Sequence, residues 1–110
     1  MRKDLLQINT SKAIHFFDVN KIFFCKSRGK VTEFHLNESI YLSNKNLGEH
    51  EKDLEIFNTF VRIHHSYIIN INYLLTVDKS KFNCTLINNA NIPISRRKLK
   101  KLIHFLSNNK

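Results

Sequence analysis

Phe60-Val61-Arg62-Ile63-His64-His65-Ser66-Tyr67-Ile68-Ile69-Asn70-Ile71-Asn72-Tyr73-Leu74 is the longest apolar run in the chain. Polar groups break it at one place, the turn-like His64-His65-Ser66. Before the break, Val61 and Ile63 alternate with Arg62 and His64, the pattern of a half-buried strand. Such a strand carries a basic, polar tip outward from an apolar root. After the break, residues 66–73 read either as a continued strand or as one or two helical turns opened by Ser66 as N-cap.

Upstream, residues 5–9 and 13–17 read as two short strands around Asn9-Thr10-Ser11-Lys12. Val19 to Cys25 reads as a strand whose successive Ile22, Phe23 and Phe24 suit burial on both faces. Lys26-Ser27-Arg28-Gly29-Lys30 reads as a loop with three cations and a glycine suited to a tight turn. Val31 to Leu36 alternates again, making a hairpin with a basic tip, and Asn37-Glu38 turns the chain into a strand at Ser39–Leu42. Residues 44–57 form a candidate helix capped by Ser43 or Asn44, with Leu47 and Leu54 seven apart and the acids facing solvent. Gly48 weakens that helix by about 1 kcal/mol relative to Ala.

Downstream, Leu74–Val77 and Asn83–Ile87 read as a hairpin around Asp78-Lys79-Ser80-Lys81, and Asn88 to Asn91 is a turn by composition. Ile92-Pro93-Ile94 is a short strand, and its proline predicts a sheet edge. Arg96 to Leu106 is the clearest helix: Leu99, Leu102, Ile103 and Leu106 recur at helical spacing behind Ser95, a natural N-cap.

At 110 residues the chain has room for one domain, 1–110, with a real core. Its net charge of +9 is unevenly spread. Four of the nine acids (Glu49, Glu51, Asp53, Glu55) share one short stretch, while from Lys79 onward there are eight Lys or Arg and no acid. That distribution predicts a basic face turned to nucleic acid and an acidic stretch turned away. The two cysteines, Cys25 and Cys84, lack metal-type spacing and are expected to be reduced and buried in a cytoplasmic protein. No run reaches the roughly 20 apolar residues of a membrane span. The N-terminus lacks the apolar segment of a signal peptide. No membrane partner is expected.

The start of the last helix breaks a local rule. Arg96, Arg97 and Lys98 crowd three cations onto the end where the helix dipole is already positive, costing about 0.3–1 kcal/mol each at low salt. Unpaired N–H groups point the same way. A phosphate or a base edge placed there would answer both demands; arginines splayed into water would merely tolerate them.

The run Phe60-Val-Arg-Ile-His-His-Ser-Tyr-Ile-Ile-Asn70, followed by Ile92-Pro-Ile-Ser-Arg-Arg97, resembles the LytTR DNA-binding domain. That family is bacterial and is usually the output half of two-component response regulators. Its pattern reads Phe-x-Arg-Ile-His-Arg-Ser-Tyr-x-Val-Asn, then Ile-Pro-Val-Ser-Arg-Arg before a final helix. A weaker likeness reaches up to Ile22-Phe-Phe-Cys-Lys-Ser-Arg-Gly-Lys30, so the resemblance spans nearly the whole chain. One departure stands out: the family usually has Arg where this chain has His65.

The resemblance implies base contacts from loops at one end of the sheet, entering successive major grooves without a recognition helix. Carried onto this chain, those loops hold Lys26, Arg28 and Lys30; His64, His65 and Ser66; and Ser95, Arg96 and Arg97. Arg97 is the expected base reader, since a guanidinium forks to guanine O6 and N7. His65 offers a shorter imidazole whose charge depends on pH. Arg62, on the face of His64, is a candidate phosphate contact, with a surface ion pair as the competing reading. The resemblance also implies paired repeat sites bound by two copies of a domain that is monomeric when free, and a receiver or sensor domain as partner. Whether the chain is a piece of a longer regulator is open at this level.

An enzyme is not expected. His64 and His65 are neighbours, which on a strand point to opposite faces, and no histidine pair has the spacing of a helical zinc motif. No cofactor or metal is implied. The rival is a basic RNA- or ribosome-associated β-domain, but such domains present exposed aromatics for stacking, whereas the phenylalanines here sit in core-like patterns. The expectation is therefore a mainly β fold, an elongated assembly of short antiparallel strands with helices near 44–57 and 96–107. Its expected function is sequence-specific binding of double-stranded DNA to regulate transcription.

Overall fold

The computed structural model describes residues 4–108. In chain order its elements are β1 (Leu5–Asn9), β2 (Ile14–Asp18), β3 (Phe24–Arg28), β4 (Val31–His35), β5 (Ile40–Ser43) and α1 (Leu47–Leu54). Then come β6 (Phe60–His64), β7 (Tyr67–Asn70), β8 (Leu74–Asp78), β9 (Asn83–Leu86), β10 (Asn91–Pro93) and α2 (Arg96–Asn108). The strands form an antiparallel hairpin β1-β2, a three-stranded sheet β10-β9-β8 and a five-stranded sheet β5-β4-β3-β7-β6. The fold is mainly β, as expected, and measures 42 × 31 × 24 Å along its principal axes.

The β3–β7 pair is the wall between two cores. Phe24 and Ile69, partners in register, pack with Ile63, Leu86, Ile92, Leu99 and Leu102. Their chain neighbours Cys25 and Ile68, also partners, pack on the other face with Ile8, Phe34, Leu47 and Leu54. Adjacent strand residues point to opposite faces, so the unbroken apolar stretches of both strands are the signature of a sheet covered twice. Each fully buried Leu or Ile removed from water contributes about 1.5–3 kcal/mol. Both cysteines are free and buried. Burial raises both thiol pKa values, that of Cys84 to about 11.

Helix α2 carries the predicted stripe: Leu99 and Leu102 are buried, with Ile103 and Leu106 packed beside them. Ser95 caps it, its Oγ accepting from the Lys98 N–H at 3.2 Å. Pro93 lies in β10, an edge strand of its sheet, where its missing N–H leaves no gap in the ladder.

Other boundaries shift for local reasons. Residues 19–21 wind a 3-10 turn instead of starting a strand, because the Asp18 carboxylate accepts from the Asn20 N–H at 2.9 Å and caps that turn. Lys26 and Arg28 belong to β3 and not to a loop; the turn is only Gly29-Lys30, between the paired Arg28 and Val31. Gly29 has φ +66, and glycine at the first central position is the pattern of a type II′ hairpin turn. The mid-chain helix begins at Leu47 with Asn46 as its cap, not Ser43 or Asn44, and its last residues, Glu55–Phe57, tighten to 3-10. The ambiguous 66–73 stretch is both things in turn: strand β7, then a 3-10 turn at Ile71–Tyr73 capped by Asn70, not Ser66.

Two buried polar side chains tie these elements down. Asn70 donates from Nδ2 to the Ile22 carbonyl at 3.0 Å and accepts from the Asn72 N–H at 3.0 Å. His50, 1% exposed, shares a 2.7 Å hydrogen bond between Nε2 and Ser43 Oγ. Its Nδ1 has no hydrogen-bond partner and lies 3.5 Å from Asp53 Oδ2. Burial, opposed in part by the Asp53 charge, lowers its pKa to about 4.

Candidate nucleic-acid interface

Strand pairing and one backbone bond bring two turns and the start of α2 to one end of the five-stranded sheet. β3 ends at Arg28 and folds back through Gly29-Lys30. β7 pairs antiparallel with β3, Tyr67 opposite Lys26. The two-residue turn His65-Ser66, closing the His64–Tyr67 pair, therefore lies at the same end. Ser27 donates its N–H to the Ser66 carbonyl at 2.8 Å, joining the two hairpins. Ser95 donates its N–H to the Ile63 carbonyl at 2.9 Å, seating the start of α2 against the end of β6.

Where β6 meets α2, a cleft of ≈ 270 Å³ is lined by Glu51, Arg62, His64, His65, Ser95, Arg97 and Lys98. His65 and Arg97 are exposed. His64 and His65 share this cleft instead of pointing apart: His65 sits in the turn, where strand alternation no longer applies. His64 Nδ1 accepts from the Ser66 N–H at 3.0 Å, which leaves the proton of a neutral ring on Nε2. The backbone of Ser66 is thus engaged at both N–H and carbonyl, and the Oγ of Ser95 is engaged as the helix cap.

Arg62 has three hydrogen-bond partners within the fold. Its Nη1 donates to Glu51 Oε1 at 2.7 Å, its Nε to the His64 carbonyl at 3.0 Å and its Nη2 to the His65 carbonyl. The ion pair of the competing reading is present, and the guanidinium joins the β6–β7 turn to α1. The acidic stretch is accordingly not all turned to solvent, since Glu51 reaches the cleft and Asp53 pairs with Lys45 at 3.3 Å.

The crowded cations at the start of α2 are partly answered from within. The Arg96 guanidinium lies 5.0 Å from the ring centroid of Phe82, a favourable placement of a cation over an aromatic face. Phe82 has φ 54, unusual for a bulky residue. Its carbonyl accepts from the Ile94 N–H at 2.9 Å, which draws the β8–β9 turn up to the approach of α2. That turn is itself pinned by Asp78, whose Oδ1 accepts from the N–H groups of Ser80 and Lys81. The Lys81 and Ser80 hydrogen bonds lower its pKa.

On the β3–β4 hairpin, the Lys26 ammonium lies 5.8 Å from the Tyr67 ring centroid. Arg28 stays exposed, 3.7 Å from Glu33, and Lys30 is exposed at the tip.

The sequence reading missed Glu51 and Phe82; Lys98, named there only among the crowded cations, also lines the cleft. A signal for Glu51 was present: with Leu47 and Leu54 it falls at i, i+4, i+7, an acid on the apolar stripe of α1. Nothing local marked Phe82.

Among the described residues no group of three or more His, Cys, Asp or Glu could hold a metal ion, and no helix is long and apolar enough to cross a membrane.

The family model of the LytTr DNA-binding domain matches residues 12–107. Among solved structures, the chain is similar to the LytTr DNA-binding domain of a Bacillus cereus protein described as a methyl-accepting/DNA response regulator. The TM-score is 0.80 and the identity 21%, over 96% of this chain and 98% of that one. At that identity the likeness speaks for the fold. No curated protein sequence matches the chain.

Proposed function

The chain belongs to the LytTR DNA-binding domain family, and from that membership we propose that it regulates transcription by reading duplex DNA sequence from one end of its sheet. The observation that carries this reading is the convergence of the Gly29-Lys30 turn, the His65-Ser66 turn and the start of α2. All three are joined by the Ser27–Ser66 and Ser95–Ile63 hydrogen bonds.

Arg97 is the base reader: it is exposed in the cleft and carries a fork matched to guanine. His65 reads or clamps beside it. Lys26, Arg28, Lys30 and Arg96 hold phosphates and set the register of the domain on the duplex. His64, Ser66 and Ser95 shape the two turns, and His64 Nε2 remains as a donor. Arg62 supports the turn from behind. Two copies bind paired repeats while the free domain is monomeric, and a receiver or sensor domain supplies the signal in the cytoplasm.

A gel-shift titration across salt tests the class. Duplex binding is expected at low-micromolar dissociation constants or tighter, weakening steeply with salt as phosphate contacts release counterions. Equal or stronger binding to single-stranded RNA would favour the RNA rival instead. Sedimentation of the free protein at micromolar concentration tests the stoichiometry; a stable dimer without DNA would contradict it.

A further inference from the structure

Glu51 is an acid in a cleft that is otherwise basic. Its Oε1 holds Arg62 Nη1 at 2.7 Å, while the carboxylate, 42% exposed, lines the same cleft as Arg97 and Lys98. Through Arg62 it also governs the carbonyls of His64 and His65, which the same guanidinium draws inward. A bidentate or branched guanidinium contact fixes orientation as well as distance.

We infer that Glu51 sets sequence specificity: it positions the β6–β7 turn through Arg62 and places a negative charge where a phosphate would otherwise settle. The inference rests on the proposed reading of this end as the DNA-facing one. Its logic is electrostatic. Every duplex offers the same phosphates, so a cleft of uncompensated cations would grip all sequences alike. Glu51 neutralises Arg62 and opposes any anion brought between Arg97 and Lys98. Base edges carry no net charge and escape that penalty. The acid thus lowers affinity for the wrong sequence more than for the right one, which widens the ratio between them.

The test uses the full chain, a preferred duplex selected from a randomised library, and a scrambled duplex of equal length and composition. Glu51→Gln keeps an oxygen for Arg62 and removes the charge. It is expected to tighten binding to the scrambled duplex by about two- to fivefold, the size of one exposed charge interaction. The preferred duplex should change less, so that the specificity ratio falls. Arg62→Lys keeps the cation but loses the fork. It is expected to weaken the preferred duplex selectively and so lower the same ratio from the other side, which keeps the test sound if Glu51→Gln folds poorly. An unchanged ratio in folded Glu51→Gln, or in folded Arg62→Lys, would overturn the inference. Arg97→Ala is measured alongside. If it loses preferred binding while the ratio survives Glu51→Gln, only the role of Glu51 fails. If it too leaves the preferred duplex untouched, the assignment of this end as the DNA-facing one fails.

Discussion

The Ser95 N–H donates to the Ile63 carbonyl at 2.9 Å, and that bond sets where Arg97 stands relative to His65. A helix N-terminus is held at the end of a β-hairpin by this backbone bond and by the packing of Ile94 and Leu99 with Ile63. Side chains at both places are left to face outward.

From this arrangement Arg97 and Lys100 should part ways. Arg97→Ala is expected to lose about 1–3 kcal/mol on the preferred duplex and to flatten preference at one base position. Lys100, exposed one helical turn further along, should cost less when truncated and weaken all sequences alike. Competition binding against a randomised site measures both. An unchanged motif after Arg97→Ala would mean that another residue reads that base.

His65→Arg restores the residue usual in the family at an exposed turn position. The longer side chain with its permanent charge is expected to raise DNA affinity. The fold should tolerate it, since His65 contributes its carbonyl, not its ring, to the Arg62 contact. Thermal denaturation with and without the preferred duplex separates the two effects. A variant that unfolds would show His65 to be structural.

Asn70 reports on the scaffold instead. Asn70→Ala strands the Ile22 carbonyl and the Asn72 N–H in or near the core. The expected loss is about 1–3 kcal/mol of stability. The midpoint of urea denaturation should drop accordingly, while DNA affinity per folded molecule is retained.

Buried His50 makes stability depend on pH, and the sign follows from its lowered pKa. The native ring titrates at about 4, against an ordinary value of 6.5 in the unfolded chain. Between those values the unfolded state binds a proton that the native state refuses. Stability is therefore full above pH 6.5 and is lost as pH falls towards 4, by at most about 1.4 kcal/mol per pH unit. Urea midpoints at pH 7.5, 6.0 and 5.0 should show this decline, and His50→Gln should show a shallower one. Equal slopes in the two proteins would place the proton uptake elsewhere.

The parts of the fold governed by local chemistry were legible in the sequence. Ser95 as cap, the Leu99–Leu102 stripe, Pro93 at an edge and the doubly buried Phe24-Cys25 pair each follow from period or backbone chemistry within a few residues. What local chemistry does not decide has a different origin. Asp18 capping Asn20 competes with a strand by a local bond that propensity does not register. The fate of Arg62 depends on Glu51, eleven positions earlier, and on two carbonyls of the following turn. The left-handed Phe82 is sustained by Ile94 and Arg96. Residue type marks a candidate contact, but only the folded neighbourhood decides whether its donors are already spent.

The β3–β7 wall has one more consequence, for how the domain comes apart. Phe24 and Cys25, one peptide bond apart, anchor different cores. Stripping the β1–β2 hairpin and α1 from one side, or α2 and the β8–β10 sheet from the other, bares a face of the same two strands. Neither half retains a complete interior, so the two cannot melt in succession. Calorimetry should record a single transition, with calorimetric and van't Hoff enthalpies equal. The end proposed to face DNA is then expected to melt with the whole domain and not before it.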